Sequence, residues 1–163
     1  MKKNLIIFVL GAAVIVALDQ ITKAAIVEKF SLHESYSVID GLFNIVYVMN
    51  PGAAFGFLAD ASETFRRIFF IGITATVILL IIYYIVKSSL QNTLYVISLT
   101  LIFSGAVGNL IDRIRYGAVV DFLDVYIGTA HWPAFNVADS SISIGAVLMI
   151  YGMIVQRKKE KSK

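Results

Sequence analysis

The chain has 163 residues, 58% of them hydrophobic and 15% charged, with a formal net charge of +3 and no cysteine. A soluble domain carries about 45–50% apolar residues; the excess here is gathered into blocks, which indicates a membrane protein of one domain rather than an enlarged core. Without cysteine there is no thiol nucleophile, no disulfide framework and no thiolate metal site.

Residues 1–18 place two lysines ahead of an apolar run, the layout of a secretory signal peptide. No clear A-x-A site follows, and apolar character resumes after Lys23. The stretch 5–27 is therefore expected to span, since about 20 residues cross the hydrocarbon. Asp19, Gln20, Thr22 and Lys23 fall near its far end. They read as an interfacial cluster, with Lys23 snorkelling or paired to Asp19 four residues away.

Residues 28–67 hold no spanning run. Residues 36–39 and 43–49 are β-prone and flank Asp40-Gly41, a hairpin signal. Asn50-Pro51-Gly52-Ala53-Ala54-Phe55-Gly56 follows, where small residues such as Gly52 permit close approach of a neighbour or a ligand, or make a plain turn. Residues 57–70 mix polar positions with phenylalanines, as in a helix lying at a membrane surface. Three further spans are expected, at about 68–86, 94–111 and 137–155. The third carries Ser104, Gly105, Ala106 and Gly108, which let helices pack closely in lipid. No repeat, linker or second domain is evident, so residues 1–163 form a single membrane-embedded unit.

Four spans put both termini on one side, together with eight basic residues and one acid; the other side has six basic residues and ten acids. Lysine and arginine excess marks the cytoplasmic side. The termini are thus expected in the cytoplasm. The basic balance is a topology signal rather than a nucleic-acid footprint. Asp19, the stretch 109–113 and the stretch 136–139 then share the outer interface, with Asn50 and Asp121 in loops on that side.

Polar groups so close to hydrocarbon are costly and point to function. Ser140 or Ser141 with Lys23 or Lys29 could make a nucleophilic dyad, but no spacing implicates them. His33 and His131 lack a metal-binding motif. Carboxylates remain. Two aspartates sharing a desolvated site do not both ionise easily, so one holds a proton while the other acts as base and activates water. Structural readings compete. Asn136 could cap a helix with Asp139 in its first turn, Asp112 and Arg113 could be interfacial charges, and Asp121 and Asp124 could be solvated loop residues.

Five blocks carry a resemblance along nearly the whole chain: Asp19-Gln20-Ile21-Thr22-Lys23, Asn50-Pro51-Gly52-Ala53-Ala54-Phe55-Gly56, Gly105-Ala106-Val107-Gly108-Asn109-Leu110-Ile111-Asp112-Arg113, Val119-Val120-Asp121-Phe122, and Phe135-Asn136-Val137-Ala138-Asp139-Ser140. In this order, on four spans, they resemble the lipoprotein signal peptidases of bacteria, the type II signal peptidases. The resemblance implies an all-α polytopic membrane protein of four transmembrane helices. A small β-structured extracytoplasmic element and a surface helix lie between spans one and two. It implies an aspartic endopeptidase of the bacterial cytoplasmic (inner) membrane that removes the signal peptide from diacylglyceryl-modified prolipoproteins, before the lipidated cysteine. Asp121 and Asp139 match the catalytic aspartates. Asp19, Asn50, Asn109, Arg113 and Asn136 match residues that support the pair or position substrate, and Lys23, Gly52 and Gly108, in the same blocks, are expected to share that role. No metal or cofactor is implied. The partners are the lipidated signal peptide and membrane lipids, with no nucleic acid and no obligate protein partner.

Two other classes compete with this one. A small transporter would need acids at mid-span, where this sequence has none. A non-catalytic membrane interaction protein would differ from a peptidase in failing to cleave a lipidated precursor.

Overall fold

The structure is a computed structural model that describes residues 2–52, 58, 61–87 and 92–161. Four helices within it are long and apolar enough to cross a membrane. They are α1 (Lys2–Lys29), α2 (Glu63–Lys87), α3 (Thr93–Tyr116) and α4 (Val137–Lys161). Each contains the span expected from the sequence and runs beyond it. Residues 63–70, expected within a surface helix, are the first turns of α2, while 57, 59 and 60 lie outside the described residues. So do 53–56 of the Asn50–Gly56 block.

The third helix is the hub. Half of its span is buried within the protein, against about a fifth for each of the others, and it packs on all three. Small residues make this possible. A Cβ on Gly105 would run into the Ala138 carbonyl and Ile142, and one on Gly145 would stand 2.8 Å from the Ser98 carbonyl. Helices associate in lipid by such close packing, because apolar burial alone gives little drive there. The buried hydroxyls of Ser98, Thr100 and Ser104 on α3 return to their own backbone, Ser98 to Leu94 O at 2.9 Å and Thr100 to Val96 O at 2.7 Å, so these three are paired within the helix. Asn92 caps the start of α3, and Gly117 ends it in the left-handed region at φ 74°.

A four-stranded antiparallel sheet covers one end of the bundle in the order β1 (Ser35–Ile39), β2 (Phe43–Asn50), β3 (Val119–Ile127), β4 (Ala130–His131). The Asp40-Gly41 hairpin forms as the sequence indicates, with Gly41 at φ 78°. The sheet is larger than the expected element between spans one and two, because the loop between spans three and four contributes β3 and β4. Asp121 and Asp124 are accordingly buried strand residues rather than solvated loop residues. The β2–β3 register sets Asn50 opposite Val119 and Val48 opposite Asp121, after an irregularity between Ile45 and Val48. Val120 and Phe122 point to a core beneath the sheet that also holds Ile26 of α1, which fixes β3 against the bundle.

Candidate active site

The carboxylates of Asp121 on β3 and Asp139 in the first turn of α4 line one cleft of about 830 Å³. Asparagines hold both. Asp121 accepts from Asn136 Nδ2 at 2.7 Å and from Asn50 Nδ2 at 2.9 Å. Asp139 accepts from Asn109 Nδ2 at 2.8 Å. Asn136, fully buried, also accepts the Asp139 backbone N–H at 2.8 Å, so the capping geometry read from the sequence is present. It coexists with the site: one side chain starts α4 and grips the other aspartate.

Burial first, and then the negative charge of Asp139, push the Asp121 carboxyl up to about 7, against the opposing pull of the Asn50 and Asn136 bonds and the Lys23 charge. At neutral pH this carboxyl is therefore divided between its acid and base forms, the condition a proton-transferring group needs. Arg113 lies alongside. Its Nη2 donates to Gly52 O at 3.3 Å and its guanidinium sits over the Phe70 ring at 5.2 Å, while its buried Nε has no hydrogen-bond partner among the described residues.

Behind the asparagines lies a set of buried charges. Lys23 is not snorkelling; it is almost fully buried. Its Nζ reaches Asp19 at 2.9 Å, Asp112 at 2.8 Å and Asn109 Oδ1 at 3.0 Å. Gly108 makes room for this, since a Cβ there would stand 2.5 Å from Asp19 Oδ2. Every expected site residue thus converges on this end of the bundle: Asp19 and Lys23 from α1, Asn50 and Gly52 at the end of β2, Gly108, Asn109 and Arg113 from α3, Asp121 from β3, and Asn136 and Asp139 at the start of α4. Ser140 donates to Asn136 O at 2.9 Å, and Lys23 is committed to its carboxylates, so the two form no nucleophilic dyad. His131 lies 2.9 Å from Asp124, which also accepts from Asn44.

Two residues escaped the sequence reading. Asp112, taken for an interfacial charge, is fully buried and bound to Lys23. Gln20 donates to Asp112 at 3.0 Å and contacts Asp19 and Gly108 O at 3.2 Å. The available signal was spacing, since Asp112 is three residues from Asn109 and so shares its face.

The model of the family described as Signal peptidase (SPase) II matches residues 11–155. The chain belongs to the signal peptidase II family. It is 54% identical to the lipoprotein signal peptidase of Syntrophus aciditrophicus over 99% of this chain and all of that one. With the lipoprotein signal peptidase of Geobacter metallireducens the identity is 47%, over 98% of each chain. Among solved structures, a bacterial membrane enzyme determined by the in meso method at 2.3 Å resolution superposes with a TM-score of 0.85. Its identity is 36%, over 96% of this chain and 92% of that one. A second such enzyme, at 1.9 Å resolution, gives 0.78 and 33% identity over 90% and 91%. Signal peptidase II is an aspartic-type protease that acts on prolipoprotein signal peptides, and a cleft holding two aspartates among helices long and apolar enough to cross a membrane agrees with that class.

Proposed function

We propose that Asp121 and Asp139 are the reacting pair of an endopeptidase that cleaves diacylglyceryl-modified prolipoproteins immediately before the lipidated cysteine. What carries the reading is the two carboxylates facing one cleft, each held by asparagine amides. The ionised carboxylate takes a proton from water as the hydroxyl attacks the scissile carbonyl carbon, and the protonated carboxyl gives its proton to the carbonyl oxygen. Collapse of the resulting diol breaks the C–N bond as one diol hydroxyl returns its proton to the ionised carboxylate and the protonated carboxyl gives its proton to the leaving amine, which leaves the pair with one proton as at the start. No covalent intermediate forms. Asn50, Asn109 and Asn136 keep the carboxylates in place throughout. The cleft continues from the carboxylates along Ile73 and Val77 of α2, Ile102 of α3 and Ile144 of α4, an apolar lining suited to a signal helix. Arg113 and Gly52 stand at its polar end, where a substrate carbonyl would be oriented.

The charge asymmetry supports cytoplasmic termini and a site near the outer face of the cytoplasmic membrane. The test is turnover of a diacylglyceryl-modified precursor by purified enzyme. Asp121→Asn and Asp139→Asn are each expected to lose cleavage while staying folded, because asparagine keeps the size but cannot exchange the proton. Asp124→Asn, which alters a carboxylate engaged with Asn44 and His131, is expected to keep turnover per folded molecule. Substantial cleavage by Asp139→Asn would leave it only a first-turn residue favoured by the helix dipole and defeat the two-aspartate mechanism.

A further inference from the structure

The buried charges behind the site grip the backbone in two matching places. Asp19 Oδ1 accepts the N–H of Ala138 at 2.8 Å, and Ala138 immediately precedes Asp139. Asp112 Oδ2 accepts the N–H of Val120 at 3.2 Å, and Val120 immediately precedes Asp121. Lys23 bridges the two carboxylates, at 2.9 and 2.8 Å. Its third contact, with Asn109 Oδ1 at 3.0 Å, fixes which way that amide faces and so turns Nδ2 toward Asp139. Gln20 closes the set by donating to Asp112 Oδ1. All these groups are buried or nearly so, and three helices and a strand meet in them.

We propose that Asp112 is a positioning residue of the active site, acting with Lys23 and Asp19 as one clamp on the backbone just ahead of both cleft aspartates. The proposal rests on the reading of Asp121 and Asp139 as the reacting pair. Its physical basis is that the local ties between β3 and α4, the Leu123–Phe135 backbone pair and the Asn136 side chain bonded to Asp121 and to the Asp139 N–H, hold the two segments from one side only. A common cation holding two carboxylates, each bonded to the peptide just ahead of an aspartate, holds them from the other side, out of α1 and α3. An ion pair this deeply buried brings little net stability, because desolvation offsets the attraction, but it is directional, and geometry is what proton transfer between two carboxyls and a water requires.

The experiment measures kcat and KM per folded molecule for the full chain in lipid vesicles, on diacylglyceryl-modified precursor, with the melting temperature recorded alongside. Asp112→Asn keeps an acceptor for Val120 N–H but loses the attraction to Lys23. It is expected to lower kcat roughly 10- to 100-fold with KM little changed. Combining it with Lys23→Met should add little beyond the worse single change, as for groups that act as a unit. Gln20→Ala, which removes only a neutral donor, is expected to lower kcat by a smaller factor, again at constant KM, and it decides the matter where Asp112→Asn does not fold. A wild-type kcat per folded molecule, with only the melting temperature reduced, would overturn the clamp and leave Asp112 a stabilising residue; so would a raised KM with kcat intact. Asp121→Asn and Asp139→Asn are run in the same series. Turnover in either sinks the reacting pair itself, whereas their inactivity beside a fully active Asp112→Asn sinks the clamp alone.

Discussion

Replacing Asp121 with asparagine should stop turnover and also change how stability depends on pH. In the fold this carboxyl titrates at about 7, against 3.8 for an unconstrained aspartate, because it is buried and faces the charge of Asp139. Between those two values the folded protein holds the proton more tightly than the unfolded chain, so native stability falls as pH rises through that window. The whole shift corresponds to about 4 kcal/mol, at roughly 1.4 kcal/mol per unit, and about 2.5 kcal/mol of it develops between pH 5 and 8. Asparagine does not ionise, so Asp121→Asn lacks this decline. It carries instead a constant penalty. Both Asp121 oxygens accept hydrogen bonds, from Asn136 and Asn50, and an amide turns a donor toward one of these donors, costing about 1–3 kcal/mol at any pH. The slope therefore tests the reasoning, not the offset. Thermal unfolding of the purified wild type and variant from pH 5 to 8 should show their melting-temperature difference moving in the variant's favour by about 5–10 °C, at roughly 2–4 °C per kcal/mol. A difference that stays flat across the range would mean that Asp121 titrates as an ordinary aspartate, and the argument from burial would fail.

Gly108→Ala should already be damaging, since its Cβ would meet Asp19 Oδ2 at 2.5 Å and Ala138 Cβ at 3.3 Å, and Asp19 is pinned by Lys23 and the Ala138 N–H. A loss of about 1–3 kcal/mol is expected, larger for Gly108→Leu, read as a lower melting temperature with reduced turnover; wild-type values in both variants would show that the helices part freely. For topology, reporter fusions should place Lys163 in the cytoplasm and the stretches 28–62 and 117–136 outside, and a reporter active outside at Lys163 would reverse the proposed location of the site.

The spans were legible because a window of apolar residues long enough to cross hydrocarbon has few soluble explanations. The polar blocks were legible because each interrupts or ends such a window. Pairing was not. Lys23 four residues after Asp19 satisfied the simplest local reading, an i,i+4 pair at an interface, and that pair does form. What the sequence could not show is that α3 brings Asp112 and Asn109 to the same ammonium group, which turns a surface pair into a buried one. Asp124 and Asp121 misled in a similar way. Their segment lacks strict alternation because β3 is covered on both faces over its first half, with Val119, Val120, Asp121 and Phe122 all buried. A continuous run of this kind does not declare itself as a strand by periodicity.

The polar groups of this site differ in what they have left to give. Behind the carboxylates, Asp19, Asp112, Lys23, Asn109 and Asn136 are engaged with one another or with backbone amides, which offsets the cost of placing charge beside lipid and leaves little freedom to move. On the cleft side, the Arg113 Nε has no partner among the described residues, and burial pushes the Asp121 carboxyl up to about 7. Hydrogen-bond capacity is saturated where position matters and held in reserve where a substrate would enter. That division is what electrostatic preorganisation requires, because a group already fixed by its neighbours need not reorganise as charge develops on the reacting bond. It also explains why asparagine rather than a further acid borders each aspartate. An amide donates to the carboxylate and accepts from the groups behind it, as Asn109 does between Asp139 and Lys23, and it does so without adding a negative charge that would drive both aspartates to hold their protons.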